Sequence, residues 1–357
     1  MSTFRWAILG TGMVSRKFLL GLRSSAFDVR ITTVASRTRT NAERFARDFK
    51  LPHISESYEA ACASPEVDAV YIATPPLMHE EHALMAIAAG KPVLLEKPFA
   101  MDAAAAARIA DAARLAGVFC MEAMWTRFMP LTRCVKQMIE SGAIGEVRTL
   151  VGSFSIATRP EAWTSIFSAA LGGGALMDRG VYPLSWACHM MGPVIDAHTV
   201  ATFGETGVDE DTTVICRHKN GVSTIQASLQ TNAVNDCRIM GTTGVIHVES
   251  PIYRPFRLRY LPSQPTGALG PGNPLKESFK ESGFVQGLLQ RAQGPVNFLR
   301  RRGGKTITKH FAGNGYHYEA DELIRSVRAG RTESDILPLA DSLMVMAALD
   351  MARAVWR

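Results

Sequence analysis

The N-terminal third of the chain leaves little architectural freedom. Short runs of β-branched and other apolar residues alternate there with longer stretches of helical spacing. "FRWAIL" precedes "GTGMVSRKFLLGL", "VRITTVAS" precedes "TNAERFARDF", and "VDAVYIAT" precedes "LMHEEHALMAIAAG". "PVLLEK" then leads into "MDAAAAARIADAARLAG", and "VFCMEA" closes the series. Strands this uniformly apolar are buried on both faces, and the helices between them supply the cover. The segment therefore predicts a doubly wound parallel sheet, an α/β Rossmann-type domain over residues 1–124. Gly90 and Gly117 stand where a helix end wants a left-handed residue.

From residue 125 to 357 the grammar changes. A helix over about Leu131–Ser141 gives way to "GEVRTLVGSFSI", then to "GGGALMDRGVYPLSW". From Ile195 to about Leu261 strands follow one another, with a two-residue hairpin turn predicted at Asn220–Gly221. Consecutive strands joined by tight turns mean a largely antiparallel sheet, so this half reads as α+β. Pro262 to about Gly315 is rich in Gly, Pro and basic residues and shows little periodicity. Two helices, about Tyr318–Ala329 and Leu337–Ala354, close the chain.

The bulk composition excludes several classes. With 357 residues, 47% hydrophobic and 20% charged, the chain is an ordinary globular one of two domains. No apolar run approaches the ~18 residues of a membrane span, and "MSTFRWAILG" reads as a strand rather than a signal peptide. The six cysteines are scattered, without CxxC pairs, so neither a metal site nor a disulfide framework is expected and the cytoplasm is the default compartment. The net charge of +6 is mild. The basic stretch "NFLRRRGGKTITKH" lacks the aromatics of a nucleic-acid reader and reads as a solvated loop.

Two sites carry chemistry. Gly10-Thr11-Gly12 follows the first strand and opens a helix at Met13 and Val14, the arrangement that cradles a dinucleotide pyrophosphate. Ser15 replaces the third glycine of the usual fingerprint. An NAD binder carries a carboxylate at the end of the second strand; here Ser36 and Arg37 stand there, with Arg39 beyond, and a hydroxyl with a guanidinium suits a 2′-phosphate. NADP(H) is therefore the expected cofactor, with NAD(H) as the alternative. The second site joins Glu96-Lys97-Pro98, at a strand end where such sheets bind ligands, to Asp178 and Tyr182, four residues apart on a glycine-led helix.

The glycine loop, the Glu-Lys-Pro run and "GGGALMDRGVYPL" together resemble the glucose–fructose oxidoreductase/inositol dehydrogenase family, Gfo/Idh/MocA. "MEAMWTRFMP", "TGVDEDTTV" and "YEADELIRSVRAG" are similar to its dimeric dihydrodiol dehydrogenase branch, which includes NADP-dependent D-xylose dehydrogenases. The resemblance implies an open sheet in the second domain, a homodimer or higher homo-oligomer, and a sugar, polyol or dihydrodiol substrate. It implies that Lys97 lies beside the nicotinamide, with Asp178 and Tyr182 as its polar partners. Thr74, Pro75 and His79 match the loop lining the cofactor, and Trp125, Arg127 and Phe154 match the mouth of the substrate pocket. Arg179 departs from the family's aliphatic residue; it either reaches substrate or turns away to pair elsewhere. The segment 262–315 is longer than its counterpart in the family.

A secondary alcohol oxidised here must lose a hydride and a proton. A free phenol has pKa ~10, so Tyr182 needs an ammonium beside it, and Lys97 is expected to lower its pKa. Lys97 as the direct proton carrier stays open. So do two rivals: a redox-neutral hydrolase or isomerase that keeps its cofactor, and a non-enzymatic NADP-sensing module.

Overall fold

The computed structural model describes residues 2–161, 164–263 and 304–356, with short pieces at 279, 282–288 and 290–291. Most of the long Gly/Pro-rich stretch, and the basic run up to residue 303, lie outside the described residues. Among the described residues the strands form two sheets.

The first sheet has six parallel strands. They are β1 (Phe4–Leu9), β2 (Val29–Ala35), β3 (His53–Ile54), β4 (Ala69–Ile72), β5 (Val93–Glu96) and β6 (Cys120–Ala123), in spatial order β3-β2-β1-β4-β5-β6. The order reverses beside β1, so the crevice beyond the carboxyl ends of β1 and β4 is the natural ligand site. Strands β4, β5 and β6 are buried along their whole length, as their unbroken apolar runs predict. The helices are α1 (Met13–Gly21), α2 (Arg39–Phe49), α3 (Tyr58–Ala63), α4 (His79–Ala88) and α5 (Ala103–Ala116). Gly117 caps α5 at φ +63° and Gly90 follows α4 at φ +68°, both left-handed as read.

The second sheet has eight strands in the order β14-β13-β12-β11-β7-β10-β9-β8. These are β7 (Val147–Ser155), β8 (Asp196–Phe203), β9 (Asp209–His218), β10 (Gly221–Ser228), β11 (Cys237–Gly241), β12 (Gly244–Val248), β13 (Arg257–Pro262) and β14 (Lys305–Thr308). All neighbours are antiparallel except β7 and β10. The predicted hairpin forms, but its turn is one residue earlier, at Lys219–Asn220, and Gly221 pairs with His218. Gly221 is required instead for contact: a Cβ there would collide with the Arg148 carbonyl of β7.

One face of this sheet is covered. Leu150, Val214 and Ile225 turn inward, towards α7 (Val181–Met191), and the last helix, α9 (Leu339–Ala354), packs on α7 and α5. Helix α6 (Pro130–Glu140) precedes the sheet, and α8 (His317–Arg328) returns to the first domain, where Asp321 accepts the Ala26 N–H at 3.0 Å. The other face exposes Val151, Val200, Ile215 and Val222. No helix among the described residues is long and apolar enough to cross a membrane, and no group of three metal-capable side chains occurs among them.

Candidate active site

The cradle is built by α1 and the loop after β4. Gly10 has φ +98°, and a Cβ there would lie 2.5 Å from the Ala73 carbonyl, so only glycine lets the two loops touch. Ser15, in place of the third glycine, is buried and donates to the Gly10 carbonyl at 2.8 Å, holding the loop from below. At Gly12 the reverse holds: a Cβ would meet nothing within 4 Å. Helix α1 begins at Met13 with no side-chain cap and no acidic residue in its first turn. Open space above uncapped N–H groups fits a pyrophosphate. Beside it, Thr11 Oγ1 and Ser36 Oγ lie 3.2 Å apart. Arg37 is exposed and makes no ion pair among the described residues, whereas Arg39 is held by Glu43 at 2.9 Å.

Lys97 follows β5 and meets the second domain directly. Its Nζ donates to Asp178 Oδ1 and to the Asp178 carbonyl, both at 2.8 Å. Asp178 lies in Leu176–Gly180, a π-helical turn that opens α7; such turns are common at functional sites. Tyr182 is one turn on, with Lys97 Nζ 5.1 Å from its ring centre. Trp125 Nε1 donates to Tyr182 Oη at 3.1 Å, which leaves the phenol's own proton without a protein acceptor among the described residues. Phe154 meets the Tyr182 ring edge-on at 5.3 Å. The structure thus brings Lys97, Asp178, Tyr182, Trp125 and Phe154 together.

Burial dominates the electrostatics. It pushes the Tyr182 phenol up to about 12, although Lys97 pulls it down. The expected lowering by Lys97 is present but is outweighed by burial. Against the opposing effect of burial, Asp178 and Tyr182 raise Lys97 above its ordinary value, so it is a fixed cation at neutral pH.

Four expected contacts are corrected. Arg179 does not reach the cleft: it is buried and donates to the Ile156 and Ser228 carbonyls and, at 2.5 Å, to Thr158 Oγ1. Arg127 is buried against Asp341 at 2.6 Å and His189 at 2.7 Å, as a structural ion pair. The two ring nitrogens of His79 face the Pro98 and Thr74 carbonyls at 2.8 and 2.9 Å, leaving none for a cofactor, and burial lowers its pKa to about 4. Neutral at that pKa, the ring has one N–H for one of these carbonyls and packs against the other, between the Thr74–Pro75 loop and the Lys97 turn. Glu96 turns inward, accepting the Tyr71 hydroxyl at 2.5 Å and the Lys97 N–H at 3.2 Å, and burial pushes it up to about 7.

Two aromatic residues of the site escaped the sequence reading. Tyr253 stacks on Phe154 at 4.8 Å, and Tyr316 stacks on Trp125 at 4.5 Å. Tyr253 sits in "SPIYRPF", where prolines bracket an aromatic after a strand; that local rigidity was the available signal.

A Rossmann sheet with an open phosphate cradle, its strand-end lysine meeting an Asp/Tyr pair from a second domain, defines a nucleotide-dependent oxidoreductase. The chain belongs to the Gfo/Idh/MocA oxidoreductase family. Residues 4–124 match that family's NAD-binding Rossmann fold, and residues 132–247 match the Gfo/Idh/MocA C-terminal domain. The chain is 31% identical over 387 residues to D-xylose 1-dehydrogenase (NADP+) of Hypocrea jecorina, covering 98% of this chain and 91% of that one. It is 31% identical over 354 residues to trans-1,2-dihydrobenzene-1,2-diol dehydrogenase of Xenopus laevis, covering 98% and 96%. Among solved structures, a 3-ketoreductase from Actinomadura kijaniata in complex with NADP and TDP-benzene superposes with a TM-score of 0.79 at 23% identity, over 100% of this chain and 98% of that one. Aldose–aldose oxidoreductase from Caulobacter crescentus superposes with a TM-score of 0.77 at 21% identity, over 99% and 98%.

Proposed function

We propose that the protein transfers a hydride between a secondary alcohol of a cyclic sugar, polyol or trans-dihydrodiol and NADP(H). One observation carries this reading: Lys97 Nζ, Asp178 and the Tyr182 phenol converge where β5 meets the glycine-led helix, next to the loop facing the cradle. Residues Gly10 to Val14 hold the pyrophosphate, Ser36 and Arg37 the 2′-phosphate, and Thr74 and Pro75 line the nicotinamide side. Bound NADP+ supplies the hydride acceptor for oxidation, and NADPH the donor for reduction.

The chain's own part is the proton. Tyr182 Oη takes it from the alcohol during oxidation and returns it during reduction. Trp125 holds the phenol in place through its indole N–H, which also favours the phenolate. Lys97, kept charged by Asp178, stabilises negative charge developing on the substrate oxygen. The ring faces of Trp125, Phe154 and Tyr253 suit the apolar side of a cyclic substrate, and Asp178 suits its hydroxyls.

An NADP+ reduction screen across pyranoses, inositols and trans-dihydrodiols tests the reading. Turnover of at least one of these classes is expected; none across all three contradicts it. Residues 1–124 and 125–357 are taken as the two domains, and the cytoplasm as the compartment. A homodimer through the exposed sheet face is part of the same proposal, supported by the row Val151, Val200, Ile215 and Val222.

A further inference from the structure

The start of the catalytic helix is held by a residue outside every assignment made so far. Asp209, the first residue of β9, is buried. One of its oxygens, Oδ2, accepts the Leu176 N–H at 2.7 Å and the Thr212 hydroxyl at 2.6 Å. Its approach depends on Gly174, where φ is +124° and a Cβ would collide with Asp209 Oδ1. The Gly174 carbonyl in turn accepts the Asp178 N–H at 3.0 Å. A short path of bonds therefore runs from Asp209 through the Gly174–Leu176 backbone to Asp178 and on to Lys97 Nζ.

We propose that Asp209 is a positioning residue: it fixes the turn Gly174–Leu176 so that both the carbonyl and the carboxylate of Asp178 reach Lys97. Helix α7 beyond the turn is secured independently by buried Leu184, Trp186 and Ala187. Losing Asp209 thus shifts the turn and not the fold. A displacement of about 1 Å at reacting groups costs on the order of 100-fold in rate. The proposal rests on reading Lys97 and Tyr182 as the proton-transfer pair.

The test compares Asp209→Ala, Asp209→Asn and Gly174→Ala. Turnover is measured with the fastest alcohol of the NADP+ screen, NADPH affinity by fluorescence, and Lys97 reactivity by acetic anhydride labelling and mass spectrometry. Asp209→Ala is expected to lower kcat about 10- to 100-fold, with NADPH affinity unchanged and Lys97 labelled faster because Asp178 no longer holds its charge. Asp209→Asn keeps an oxygen for the Leu176 N–H and restores most of the rate. Gly174→Ala drives the carboxylate away and also strains the backbone at φ +124°, so it loses at least as much rate as Asp209→Ala. Should Asp209→Ala fail to fold, Asp209→Val takes its place beside Asp209→Asn, and an equal loss in those two overturns the proposal. Wild-type kcat in Asp209→Ala or Gly174→Ala, or an equal loss in Asp209→Asn and Asp209→Ala, overturns the proposal. Lys97→Met is measured alongside: if it keeps full turnover, the proton-transfer reading fails separately from Asp209.

Discussion

Two glycine-led helix starts lie on either side of the cleft, and they do opposite things. At Gly10-Thr11-Gly12 the second glycine leaves empty space above uncapped N–H groups. At Gly172-Gly173-Gly174 every glycine is pressed by protein: Met101 and Pro76 at the first, the Ile166 carbonyl at the second, Asp209 at the third. The first leaves room for the proposed cofactor, and the second lets protein groups crowd in to fix the turn that carries Asp178. A glycine run by itself does not distinguish the two; what faces the missing Cβ does.

Changes on the crowded side should cost stability, and changes on the open side should cost cofactor affinity. The largest effect is expected at Arg179. Replacing it with Met removes the buried charged donor shared by the Ile156 and Ser228 carbonyls, which keep only the Thr158 hydroxyl and the Ile156 N–H, and costs about 1.5–3 kcal/mol. Chemical denaturation should read a loss of that size, while substrate KM for the folded fraction stays near wild type. A selective rise in KM with unchanged stability would return Arg179 to the substrate site. Next, Gly12→Ala fills the cradle and should weaken NADPH about 10-fold or more, with kcat at saturating cofactor nearly unchanged. A kcat loss without an affinity loss would erase the contrast between the two glycine runs. The smallest effect is expected at the rim: Arg37→Ala should weaken NADPH roughly 10-fold by fluorescence titration and NADH hardly at all.

Much of this was legible in the sequence. The first sheet announced itself because strands buried on both faces are apolar without interruption. Only β3 and α3, of two and six residues, were too short to register as periodic. The meeting of Lys97, Asp178 and Tyr182 was legible because their motifs are local. Arg127 and His79 were placed in the site by resemblance, Glu96 by its strand-end position and Arg179 as a departure from the family, and none of these signals reports burial. Their partners decide it: Asp341 lies far along the chain from Arg127, and carbonyls such as Ile156 and Ser228 carry no letter of their own. The pKa of Tyr182 was misjudged for a related reason. Lys97 was foreseen beside it, but burial was not, and burial is the larger effect.

The central claim is that Tyr182 carries the proton and Lys97 the charge. The most direct test is the pH dependence of kcat/KM for alcohol oxidation in the wild type and in Tyr182→Phe. With the phenol held at about 12, only its ionised minority acts as base, so the wild-type rate should climb with pH through the neutral range. Tyr182→Phe should be slower by about 10²- to 10⁴-fold, lack that climb, and still bind NADPH. A Tyr182→Phe enzyme that keeps both the wild-type rate and its rise with pH would contradict the account.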